Sequence, residues 1–132
     1  MAYLGNPYKF CIIYSVIKEW NPDDTFGNGI LLFCLDGMIY PSKEIVNATL
    51  KSEFWNLKKE LMNLAVDERL YTLQKEEAFT EMYKVMFPED WECNNDYRFD
   101  ISPYSFSDKG RFVYAVSDGE GIRVLVAGLD CL

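Results

Sequence analysis

Histidine is absent from all 132 residues. Its absence removes the commonest general base, and with it the Ser-His-Asp and Cys-His nucleophile arrangements. A zinc site would have only cysteines and carboxylates to draw on. The four cysteines, Cys11, Cys34, Cys93 and Cys131, are scattered without a CxxC pair, so no metal knuckle or dithiol motif is written into the chain. Cys11 and Cys34 sit inside apolar runs and read as small buried hydrophobes. Phosphate-cradling glycine loops are also missing: Gly119-Glu120-Gly121 reads only as a turn, because position 124 is Val where a third glycine is needed. No DxDxDG spacing supports calcium. The longest apolar run, Ile30 to Leu35, is far too short to span a bilayer. The opening MAYLGNPYKF lacks the basic-then-apolar order of a secretion signal. These absences lead to the expectation of a reduced, cytoplasmic protein with no metal, no cofactor and no membrane partner.

Basic charge is in short supply. Thirteen Lys and Arg stand against 21 Asp and Glu, a net charge of −8. Such a chain repels phosphate backbones, so nucleic acid is not expected as a partner. It attracts basic proteins and captures them quickly through long-range steering. Aromatic side chains, in contrast, are plentiful: nine Tyr, nine Phe and three Trp. With 49% apolar residues the chain can bury a sizeable core, and one domain spanning 1–132 is expected. Some of so many rings must reach the surface, where Tyr and Trp favour partner contacts.

The patterning alternates between strand and helix signals. Phe10 to Lys18 is apolar and β-branched, the composition of a strand. Ile30 to Leu35 and Met38 to Tyr40 are separated only by Asp36-Gly37, a strong hairpin signal, and Pro41 stops the second strand. Phe54, Leu57, Leu61 and Leu64 recur at helical spacing, with Thr49 or Ser52 as N-cap. A second helix is expected from about Lys75 to Phe87, ended by Pro88. Tyr97 to Ile101 alternates with period two, and Phe112 to Val116 and Ile122 to Ala127 flank a glycine-containing hairpin loop. The order predicts an α+β fold: an antiparallel sheet of about five to six strands with two central helices packed on one face. The unbroken run Ile30 to Leu35 is expected to be buried on both faces.

Two segments stand out as candidate binding sites. From Pro88 to Asp100, five acids, one base and three aromatics fall within thirteen residues, just after a helix stop. There Trp91 and Tyr97 supply rigid anchors, and Glu89, Asp90, Glu92 and Asp96 supply charge for a basic cleft. The plainer alternative is a loop whose Trp91 folds back onto the core. The second segment is the acidic turn carrying Asp23 and Asp24, with Trp20 beside it, where a structural turn is the plainer reading. As adjacent pairs, Asp23-Asp24 and Glu89-Asp90 could also serve acid/base or metal chemistry, with solvated loop charge the plainer reading.

Several stretches occur together in a familiar order. Gly5-Asn6-Pro7-Tyr8-Lys9-Phe10 leads into Glu19-Trp20-Asn21, then Asn28-Gly29-Ile30 and Asp36-Gly37-Met38-Ile39-Tyr40-Pro41. Ala48-Thr49-Leu50, Phe99-Asp100-Ile101, Phe106-Ser107-Asp108 and Val113-Tyr114-Ala115-Val116-Ser117 follow. In this order the chain resembles the bacterial immunity protein 42 family, whose members accompany polymorphic or contact-dependent toxins, and the similarity runs nearly end to end. The resemblance implies a cytoplasmic, non-enzymatic protein that binds and neutralises the C-terminal domain of a cognate toxin, often a nuclease, encoded immediately upstream. It brings no shared active residues, so the candidate contacts rest on charge and aromatics alone. A monomer or weak homo-oligomer is expected. Two other classes stay open at this stage: a carboxylate-based or metal-dependent small hydrolase, and a regulatory module holding a peptide or small ligand in an aromatic groove.

Overall fold

The computed structural model describes residues 2–22, 27–42 and 46–127. Among these residues the strands are β1 Ala2–Asn6, β2 Phe10–Val16, β3 Asn28–Leu35, β4 Met38–Tyr40, β5 Asn47–Thr49, β6 Val113–Ser117 and β7 Ile122–Val126. The helices are α1 Leu50–Met62, α2 Glu68–Thr72, α3 Lys75–Met86 and α4 Tyr104–Ser107. The α+β class holds, and every ladder between these strands is antiparallel. The strands divide into two sheets, however. Strands β1 to β4 lie in order with β5 beside β3, while β6 and β7 form a separate pair.

Local chemistry accounts for the turns. In the β3–β4 hairpin Leu35 faces Met38, and Asp36 and Gly37 both have positive φ, at 51° and 81°. That pairing is the type I′ turn whose twist suits the flanking strands. In the β6–β7 loop the Asp118 carboxylate accepts hydrogen bonds from the amides of Glu120 (2.9 Å) and Gly121 (2.7 Å). Strand β1 was not anticipated, because it is an outer strand with all five residues exposed and no apolar pattern. Its Gly5 has φ +109°, and a Cβ there would lie 2.6 Å from the Phe10 carbonyl oxygen, so the position admits glycine alone. Thr49 does precede α1, yet its hydroxyl bonds the Asn28 side chain, and Ser52, inside the helix, bonds back to the Thr49 carbonyl. Neither side chain caps the helix as expected.

The two sheets serve two clusters of buried residues. Leu50 and Leu57 of α1 join Leu31, Phe33, Tyr40 and Phe106 in the first, where the Phe33 and Phe106 rings lie 4.9 Å apart. Ala78, Met82 and Met86 of α3 meet Tyr114 and Val116 in the second. Strand β6 lies between them: Val113 and Ala115 belong to the first cluster, Tyr114 and Val116 to the second, and all four are fully buried. The strand buried on both faces is therefore β6, not β3. Leu31 and Phe33 of β3 are enclosed, whereas on its other face Ile30 and Leu32 are half-buried and only Cys34 is enclosed, as an antiparallel sheet covered by a helix on one face allows. The two helices are likewise shared out, α1 against the large sheet and α3 against the small one.

The stretch Tyr97 to Ile101 keeps its alternation without forming a strand. Phe99 and Ile101 are buried, but only a single bridge, Asp100 to Tyr114, pairs it with β6. Turns at either end explain this. The Asp96 carboxylate accepts from the Arg98 amide, and that of Asp100 from the Ser102 amide, each bending the chain where a ladder would need it straight.

Candidate functional site

The acidic aromatic segment is a loop anchored at both ends on the last turn of α3. At its start the Phe87 amide closes on the Tyr83 carbonyl (2.8 Å), and at its end the Asp96 amide bonds the Val85 carbonyl (3.0 Å). Between these points the Asp90 side chain accepts the Glu92 amide, and its carbonyl accepts the Cys93 amide, both at 3.0 Å. Asp is the residue that supports such a turn through its own side chain. Residues 89–95 are all exposed. Trp91 is 88% exposed, so it does not fold back onto the core.

Within the loop the carboxylates divide into two groups. Asp96 is held by Arg98, whose Nε donates to it at 2.8 Å, and that bonding pulls its pKa below the usual carboxylate range. Its charge is neutralised locally. Glu89, Asp90 and Glu92 stay outward around Trp91, with Tyr97 half-exposed beyond them. An exposed indole on a loop pinned at both ends, with the Glu89 and Glu92 carboxylates in water beside it and that of Asp90 also holding the Glu92 amide, has the make-up of an interface anchor with a charged rim.

The second segment is built on different elements. Trp20 closes a 3₁₀ turn over Lys18–Trp20 and is 41% exposed. Asn21 ties the two ends of this connection together. Its Nδ2 donates to the carbonyls of Ile17 (2.6 Å) and Asn28 (2.8 Å), and its Oδ1 accepts the Asn28 amide (2.6 Å). Asp23 and Asp24 lie outside the described residues. Trp20 lines an open cleft of about 310 Å³ with Asn28, Asn47, Ala48 and Thr49. A second cleft, of about 410 Å³, is walled by Glu68, Arg69, Thr72 and Asp118. Both are open, and Trp20 is the one ring on either lining, unlike the enclosed aromatic walls of a small-molecule site. No hydrogen bond or ion pair among the described residues joins the Trp20 segment to the loop at 89–96.

Among the described residues no three Cys, Asp or Glu side chains are grouped to hold a metal ion. One cluster of carboxyls does occur, beneath α1. Glu53 is buried, and its side-chain oxygens accept from the Tyr104 amide (3.1 Å), the Ser105 amide (3.3 Å) and the Ser105 hydroxyl (2.8 Å). One face of α1 away, burial together with the charges of Asp100 and Glu53 pushes Glu60 up to about 7. Burial also raises Asp100. The unfolded chain ionises Glu60 near its ordinary value, so the folded state holds the extra proton between that value and about 7. Stability therefore falls as pH climbs through this window and levels off above it. Glu60→Gln is expected to stabilise the chain at pH 8 by about 1 kcal/mol, discounted because the group is half-solvated, and by nothing near pH 4.5. Urea denaturation at the two pH values measures the difference.

Sequence periodicity passed over one exposed feature, the outward face of α1. Trp55 and Met62 are 65% and 74% exposed there, among Lys51, Lys58 and Lys59. The signal was present, since Trp55 falls about 100° around the helix from Phe54 and so outside the buried stripe.

The chain is similar to known proteins over almost its whole length. The family model described as Immunity protein 42 matches residues 1–130. The crystal structure of CdiI from Burkholderia dolosa AUO158 is similar in fold at a TM-score of 0.76 and 26% sequence identity. The alignment covers 98% of this chain and 93% of that one. No curated protein matches.

Proposed function

Because the chain belongs to the immunity protein 42 family, and is an immunity protein against a contact-dependent toxin, we propose that it works by occupying a basic surface of its cognate toxin's C-terminal domain with the loop Glu89 to Tyr97. The observation that carries this reading is the loop's construction: both ends pinned to α3, with Trp91 and three carboxylates left in water. At 88% exposure the Trp91 indole offers a large amphipathic ring face to a partner. Its burial would anchor the complex, while Glu89, Asp90 and Glu92 would pair with toxin cations at the rim.

A nuclease is the toxin class this chemistry fits, because its phosphate-binding cleft must be cationic. An acidic inhibitor entering that cleft competes directly with nucleic acid. In this reading the chain turns over no substrate. Trp20, Asp23 and Asp24 are assigned a secondary contact, on the same logic of a ring beside acids.

The test is co-expression with the toxin domain encoded by the neighbouring upstream gene. Cells carrying this chain survive induction of the toxin, and the two proteins co-purify. Death of the cells despite full expression of the folded chain would reject the function.

A further inference from the structure

Helix α1 carries a second stripe, facing away from its core. Lys51, Trp55, Lys58, Lys59 and Met62 sit at i, i+4, i+7, i+8 and i+11, which brings them onto one side of the helix, and all five are exposed. No acid interrupts the stripe: Glu53 and Glu60 lie on the inner side, in the carboxyl cluster. Neither Lys58 nor Lys59 belongs to an ion pair among the described residues. In a chain of net charge −8, this places three of the thirteen basic residues around an uncovered indole.

The same molecule carries the complement. The loop presents Glu89, Asp90 and Glu92 around an uncovered Trp91, acids and an indole against Lys58, Lys59, an indole and a methionine. Both surfaces are exposed, so they do not cover each other within one chain. They are joined through the stretch leaving the loop. Asp100 bonds back to the Tyr97 carbonyl and lies close enough to Glu60 of α1 to raise its pKa, and the next turn, at Tyr104 and Ser105, bonds Glu53 of α1.

We propose that a second copy of this chain docks its loop at 89–92 on the outward stripe of α1, reciprocally, in a weak two-fold dimer. Two-fold pairing uses both surfaces twice and closes on itself, so no filament forms. The net charge of each copy opposes association at long range, but at about 0.15 M salt charges more than about 8 Å apart are largely screened and the local match prevails. A nucleic acid or anionic membrane is the poorer occupant of the stripe, since so few lysines cannot offset the whole chain's charge against a polyanion. The dimer would cover the loop until a more basic partner displaced it; the displacement, though not the dimer, rests on the toxin-binding reading above.

Sedimentation velocity of the purified chain tests the dimer directly. At about 0.15 M salt the wild type shows concentration-dependent association that is lost at about 1 M. Lys58→Glu with Lys59→Glu weakens it at least about tenfold, as does Asp90→Lys with Glu92→Lys. Mixed in equal amounts, the two charge-reversed chains associate again, because each then offers what the other lacks. A wild-type chain that is monomeric throughout, or a mixture that fails to recover, overturns the proposal. So does a monomer whose toxin affinity drops on reversing Lys58 and Lys59, which would assign the stripe to the toxin. Cell rescue by the wild type is read separately, so loss of the dimer leaves the immunity function standing.

Discussion

Replacing Glu53 with Ala is expected to lower folding stability by about 3 kcal/mol, through two amides left without a partner in a partly buried site. Glu53 is 4% exposed and sits one turn into α1, yet its bonds go to residues 104 and 105, about fifty positions away in the chain. It is what ties the first turn of α4 to α1. Phe106 lies in the same turn and is wholly buried against Phe33 and Tyr40, so loosening α4 also disturbs the ring cluster at the centre of the large sheet. Glu53→Gln keeps one acceptor oxygen and should cost about half as much. Ser105→Ala removes only the hydroxyl bond, for about 1 kcal/mol, and combined with Glu53→Ala should add almost nothing, since its partner is already gone. Thermal or urea unfolding of these four variants beside the wild type measures all of this. A loss below about 1 kcal/mol for Glu53→Ala would show that α4 is held by its apolar contacts alone.

The second large effect concerns binding. Trp91→Ala is expected to leave stability within about 0.5 kcal/mol of the wild type, because the ring touches little of its own chain. The same change should weaken toxin binding by about 2 kcal/mol or more, about 30-fold in dissociation constant. The separation of the two readouts is the diagnostic. An 88% exposed indole can contribute to affinity only through what it meets on a partner. Titration calorimetry against the toxin domain reads the affinity, and the loss should appear mainly as faster dissociation. Equal affinity would remove Trp91 from the interface.

Much of the fold was legible where local chemistry decides it. Asp36-Gly37 announced its hairpin, and Pro88 the end of α3, because backbone sterics at those residues leave few alternatives. The Met and aromatic stripe of α3 proved to be core, with Ala78, Met82 and Met86 buried. What could not be read was decided by contacts between distant segments. Strand β1 has no buried residue, so its pairing with β2 leaves no periodic trace. The apolar runs Ile30 to Leu35 and Val113 to Val116 look alike in sequence, yet only the second is enclosed on both sides, because α3 and the large sheet flank β6. At the site, the charge and rings of residues 89–97 were visible, whereas the outward turn of Trp91 and the pairing of Asp96 with Arg98 needed the folded chain. The stripe around Trp55 carries no apolar period of its own, because the apolar period of α1 marks its buried face and not the opposite one.

Toxin capture in this proposal depends on carboxylates and an aromatic ring meeting a cationic partner, and the salt dependence of toxin affinity tests it most directly. Dissociation constants for the wild type and for Asp90→Lys with Glu92→Lys should be measured from about 0.05 to 0.5 M salt. The wild type should bind tightly and weaken at least about tenfold across that range, while the reversed chain binds more weakly throughout and responds little to salt. Two superimposable curves would contradict the account.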